Sequence, residues 1–131
     1  MDYAEVMEAV AALDWEEKRA LHRTLGAVLL RHDAENHDIC HAVLKAAEDL
    51  LGQDNNTKVR DGRVVLLRKL VCYRLHELGV KDDTIGSTIG RERSTCLFHR
   101  RSVADWLAVP KMYRDEIELL NQLREQTNDI H

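Results

Sequence analysis

The chain is most constrained between Ile85 and Arg101. Ile85 and Ile89 lie one helical turn apart, Gly90 follows with the freedom a tight turn needs, and Arg91-Glu92-Arg93-Ser94-Thr95 opens a second helical run. Two short helices joined by a glycine turn, the second rich in Arg, Ser and Thr at its start, is the pattern of a helix-turn-helix. Such a second helix sets its first residues against base edges and its flanks against phosphates of DNA. Ser94 or Thr95 is the expected N-cap of that helix, which leaves one hydroxyl free for contact. Arg91, Arg93, Arg100 and Arg101 are read as DNA-contacting rather than as a solvated face, because they flank that turn and helix start.

The net charge of −4 speaks against a polyanionic partner until its distribution is followed. Residues 1–57 carry a net −7, residues 58–109 a net +5 and residues 110–131 a net −2. The positive field therefore sits on the segment that holds the proposed reading head, and the local field governs encounter with DNA. With 32% charged and 5% aromatic residues and a single proline, the composition is that of a helical protein. A length of 131 residues suits one domain with a small appendage. No apolar run reaches the roughly 18–20 residues of a membrane span. The start Met1-Asp2-Tyr3-Ala4-Glu5 lacks a signal-peptide core, so a cytoplasmic location is expected.

Helical period recurs along the whole chain. Tyr3, Val6, Val10 and Leu13 form one stripe; Asp14 with Glu17 reads as a capping box for a second helix carrying Leu21, Leu25 and Val28. The polar run 31–37 reads as a loop, and Asp38 as the cap of a third helix with Ile39, Val43, Ala46 and Leu50 inward, ended by Gly52. Residues 53–57 read as a loop. Between Arg63 and Leu78, Val64, Leu67, Val71, Leu75 and Leu78 form a stripe widened by Leu66, Leu70 and Tyr73, which places this fourth helix at the centre of its domain. Gly79 ends it, and Asp82 or Asp83 caps the fifth. Cys96, Leu97, Val103, Trp106 and Leu107 face inward from the sixth, and Pro110 suits the first turn of a seventh. The fold class expected is all-α, about seven helices with a helix-turn-helix, divided into an N-terminal helical appendage (1–36) and a DNA-binding domain (37–131).

Other chemistry is thin. His32, His37, Cys40 and His41 fall within ten residues, but their spacing matches no established zinc finger, and no metal is expected. Cys40, Cys72 and Cys96 are odd in number and form no CxxC pair; Cys72 and Cys96 stand at apolar helical positions as small core residues. Trp15 and Trp106 read as packing residues. Lys58 and Arg60 in their polar loop serve either groove contact or plain solubility.

From about residue 39 to 107 the chain resembles the C-terminal, DNA-binding domain of the bacterial replication initiator DnaA. The resemblance rests on Arg68-Lys69-Leu70-Val71-Cys72-Tyr73 with Glu77-Leu78, on Ile85-Gly86, and on Ile89-Gly90-Arg91-Glu92-Arg93-Ser94-Thr95-Cys96-Leu97 with Arg101. It implies that Arg60 enters the minor groove from a basic loop that also holds Lys58. It also implies that Arg91, Glu92, Arg93, Ser94 and Thr95 meet the major groove. Glu92-Arg93 stands where the family has Asp-His, and an arginine is bidentate to guanine, so the resemblance does not carry over the family's own box as the target. No GxxxxGK[ST] phosphate loop is present, so neither nucleotide nor ATPase chemistry is expected.

The expected function is sequence-dependent binding of double-stranded DNA without catalysis, metal or cofactor. A regulator of replication or transcription, phage or mobile-element related, would fit. A homodimer through the N-terminal helices is expected as well, because their stripes carry more apolar surface than two helices alone can hide. The competing class is a helical protein-protein interaction adaptor.

Overall fold

The computed structural model describes residues 2–56 and 61–129, without the side chains of residues 29–34. Six helices and no strand occur among the described residues: α1 (Tyr3–Ala11), α2 (Trp15–Leu51), α3 (Gly62–Glu77), α4 (Asp82–Ile89), α5 (Arg93–Ala108) and α6 (Arg114–Gln126). No helix among them is long and apolar enough to cross a membrane. The chain divides into two compact units, Met1–Glu35 and Asn36–His131.

In the first unit, α1 begins with a capping box between Asp2 and Glu5. The box expected at α2 is present too: the Glu17 amide donates to Asp14 Oδ1 at 2.8 Å, and the Asp14 amide donates to Glu17 Oε1 at 3.2 Å. None of the described side chains before residue 29 is fully buried. Trp15, expected to pack, is 73% exposed, and Tyr3 is 80% exposed.

The fold is all-α as expected, with the expected second and third helices joined into one. The run 31–37 is helical rather than a loop, and Asp38 lies inside α2 rather than at a cap. Polarity does not end a helix. The run contains neither Gly nor Pro and includes good helix formers such as Arg31, Ala34 and Glu35.

The second unit packs around α3. Its Val64, Leu67, Leu70, Val71 and Leu75 are fully buried, and the last four meet Val43, Ala47 and Leu51 of α2, Ile85 and Ile89 of α4, Cys96, Val103 and Trp106 of α5, and Leu120 and Leu123 of α6 in one core. Each such aliphatic side chain contributes roughly 1.5–3 kcal/mol by burial. Two arginines fasten α6 to α3. The buried Arg74 donates through Nε to Thr127 Oγ1 at 2.8 Å, and Arg124 grips the Glu77 carboxylate at 2.8 and 3.1 Å.

Helix ends follow the glycines. Gly52, Gly79 and Gly90 take positive φ of 62°, 86° and 70° at the ends of α2, α3 and α4. Starts are displaced from expectation by a residue or more. Lys81 rather than Asp82 or Asp83 is the N-cap of α4, and Glu92 rather than Ser94 or Thr95 is that of α5; neither makes a side-chain cap bond. Pro110 lies in a turn, and α6 starts only at Arg114.

Candidate nucleic-acid interface

Sequence dictates a close turn between α4 and α5. The Arg91 amide donates to the Gly86 carbonyl at 2.9 Å, so the chain doubles back over the last turn of α4. A Cβ at Gly86 would lie 2.6 Å from the Arg91 carbonyl oxygen, which only glycine allows. Gly90 then supplies the left-handed residue, and Arg91 and Glu92 lead into α5. A shallow depression opens here, lined by Ser87, Gly90, Arg91, Glu92, Arg93 and Thr95 among others.

Helix α5 has two contrasting faces. Cys96, His99, Val103 and Trp106 are buried at helical spacing. On the other side Arg93, Ser94, Phe98 and Arg101 are exposed, with Ser94, Phe98 and Arg101 falling at i, i+4 and i+7 on one line. Because Glu92 provides the N-cap, the Ser94 and Thr95 side chains are not engaged in capping.

The arginines of the second unit separate into two groups. Arg63 donates to the Leu51 carbonyl, Arg68 to Asn55 and Asn56, Arg74 to Thr127, and Arg124 to Glu77. Arg100 belongs with these. Its Nη2 and Nε lie 2.7 and 3.1 Å from the two carboxylate oxygens of Asp82, with both side chains less than one-fifth exposed. The fork geometry makes this a strong pair and ties α5 to the first turn of α4. The guanidinium of Arg100, which the sequence reading places toward DNA, is held by an intramolecular carboxylate. Arg93 and Arg101, by contrast, have no hydrogen-bond or ion-pair partner among the described residues. Arg91 is half-buried and donates to the Gly90 carbonyl at 3.0 Å. Lys58 and Arg60 lie outside the described residues.

Two features were not anticipated from the sequence. Asn55 joins three elements: its amide donates to Glu48 of α2 at 2.8 Å, its Oδ1 accepts from Arg68 of α3 at 2.9 Å, and its Nδ2 donates to the Ile89 carbonyl at the end of α4 at 3.3 Å. A polar loop residue carries no periodic signal that would expose such a role. The second is His99, buried on the inner face of α5, whose Nδ1 has no hydrogen-bond partner among the described residues. Burial first, and then the charges of Lys69, Arg68 and Arg91, lower its pKa from 6.5 to about 4, so the ring is neutral at physiological pH.

All three cysteines are free and buried. Burial raises the Cys40 thiol above its ordinary value, whereas a hydrogen bond with Cys72 lowers that of Cys96. A hydrogen bond with Cys96 first, and then burial, push the Cys72 thiol above its ordinary value, so it stays protonated. Among the described residues no group of three His, Cys, Asp or Glu side chains could hold a metal ion. Comparison with known proteins returns no significant match: no family profile, no curated protein and no solved structure aligns with the chain.

Proposed function

We propose that the α4–turn–α5 segment is a helix-turn-helix and that the protein binds double-stranded DNA in a sequence-dependent way, without catalysis. The observation that carries this reading is the partition of the arginines. Arg93 and Arg101 are exposed on the outer face of α5 with no partner among the described residues, while Arg100 beside them is held by Asp82. A basic side chain that the protein itself does not engage, on a helix preceded by a glycine turn, suits a polyanion. Arg93 at the head of α5 fits a guanine edge, and Glu92 is an acceptor suited to the cytosine amino group. Arg101, Arg91 and the Ser94 and Thr95 hydroxyls fit phosphates or base edges, and Lys58 and Arg60 join them from sequence alone. Arg100 acts here as a positioning residue. The resemblance to the DnaA C-terminal domain supports the same arrangement, and a cytoplasmic regulator of replication or transcription is the setting it fits.

Titration of a labelled random-sequence duplex at several salt concentrations tests the proposal. With three to five phosphates neutralised, the log–log slope of affinity against salt is expected at roughly −3 to −5. Absence of binding at low salt, or affinity indifferent to salt, overturns it.

A second reading concerns the first unit. Tyr3, Val6, Met7, Trp15, Leu25 and Val28 are exposed there, an apolar surface that suits self-association or an adaptor role. Light scattering on the full chain and on a truncation beginning near Asp38 distinguishes the two roles. Dimer lost with DNA binding kept supports a self-associating appendage; a monomeric full chain removes the homodimer and leaves the adaptor role.

A further inference from the structure

Phe98 does not belong on a polar surface, yet it is 65% exposed in the middle of α5. It lies one turn after Ser94 and one turn before Arg101, on the outer line of the helix. Among the described residues its one ring neighbour is the buried His99, edge-on at 6.1 Å, and no aromatic cluster covers it. The core of α5 is complete without it, since Cys96, His99, Val103 and Trp106 fill the inner face. An exposed apolar ring that lies along α5 between Arg93 and Arg101, two basic positions without a partner among the described residues, is matched to a surface that is anionic at its edges and apolar at one point. The major groove of duplex DNA has that character where a thymine presents its 5-methyl group between phosphate backbones.

We infer that Phe98 is a specificity-determining residue that packs its ring against the 5-methyl group of one thymine in the target. The inference rests on the DNA-binding reading of α5 and goes beyond it by naming a base and an atom. Arg101 brings the helix to the groove through charge, which every sequence satisfies, while Arg93 reads its own base edge. The ring adds a contact that only thymine, among the four bases, completes with a methyl group.

The test uses a site selected from a random duplex pool, in which each thymine is replaced singly by deoxyuridine. That change removes the methyl group and leaves base pairing intact. The unaltered protein is expected to lose about four-fold in affinity at one thymine, the worth of one buried methyl-sized group at ~0.8 kcal/mol. Phe98→Ala and Phe98→Ser, their folding checked by circular dichroism, are expected to bind the thymine and deoxyuridine duplexes equally at that position. They are expected to retain the salt slope of the unaltered protein. Binding without sensitivity to any single methyl group, or variants that keep the sensitivity, overturns the role of Phe98 and leaves DNA binding standing. No binding of the unaltered protein to any duplex overturns both.

Discussion

Replacing Gly86 by alanine sets helix propensity against a backbone contact, and the structure decides which wins. In an open helix the change gains about 1 kcal/mol, since alanine loses less backbone freedom than glycine. At Gly86 the new Cβ would stand 2.6 Å from the Arg91 carbonyl oxygen, a distance that real Cβ atoms avoid. The obstacle is main chain, so it cannot rotate away. The turn must move, and the 2.9 Å bond from the Arg91 amide to the Gly86 carbonyl loosens with it. Loss of that bond costs about 1 kcal/mol, and overpacking adds about 1–3 kcal/mol. The net expectation is a destabilisation of roughly 1–3 kcal/mol, or a fall in Tm of roughly 5–15 °C for a unit of this size. Gly62→Ala is the control. It lies in the first turn of α3 in the same unit, with no described atom within 4 Å of the added Cβ, and should be neutral or stabilising by up to about 1 kcal/mol. Urea denaturation followed by circular dichroism measures both. A Gly86→Ala protein as stable as the original, or more so, refutes the close approach of α4 to the turn.

Further outcomes follow from the same contacts. His99 is neutral in the fold, with its pKa lowered to about 4, whereas unfolding returns it to 6.5. Between those values only the unfolded chain binds the proton, so its contribution is intact above pH 6.5 and is lost as pH falls toward 4, by up to about 3 kcal/mol. A His99→Leu protein should lose less stability than the original between pH 7.5 and pH 4.5; an equal loss contradicts this assignment. Arg100→Ala leaves Asp82 without its fork and should cost about 2 kcal/mol in urea denaturation while the salt slope of DNA binding stays unchanged. A slope reduced by about one unit would mean that Arg100 reaches a phosphate after all. Arg93→Ala should flatten the preference at one base pair of a selected site by about 1–3 kcal/mol, seen as equalised affinities for the four variants of that pair.

Local chemistry was legible wherever one residue decides the outcome. Asp14 and Glu17 form their box, and Gly52, Gly79 and Gly90 stand at the left-handed helix ends, because those side chains, or their lack, set the backbone directly. The stripe of Val64, Leu67, Val71 and Leu75 marked α3 as central through its period alone. The polarity of the run 31–37 reads as a break, yet it contains neither Gly nor Pro to oppose helical backbone. Helix starts differ from the expectation because Lys81 and Glu92 take the cap positions without a side-chain bond, so none of the nearby Asp, Ser or Thr side chains sets the start of α4 or α5. The site divides in the same way. Arg93, Ser94 and Arg101 are placed by helical period, but the pairing of Arg100 with Asp82, 18 residues away, is a product of packing that no local pattern encodes. Phe98 is illegible in the sequence for the converse reason: an apolar residue on a helix reads as core by default, and only the completed packing of α5 leaves this one outside.

The most direct measurement is a map of backbone amide shifts in the isotope-labelled protein as random-sequence duplex DNA is added at low salt. Binding through α5 predicts that the largest changes fall at Arg91–Thr95 and at Phe98 and Arg101, while residues of the Met1–Glu35 unit remain in place. Changes confined to that first unit, or none at all, would contradict a DNA-reading helix and favour the adaptor.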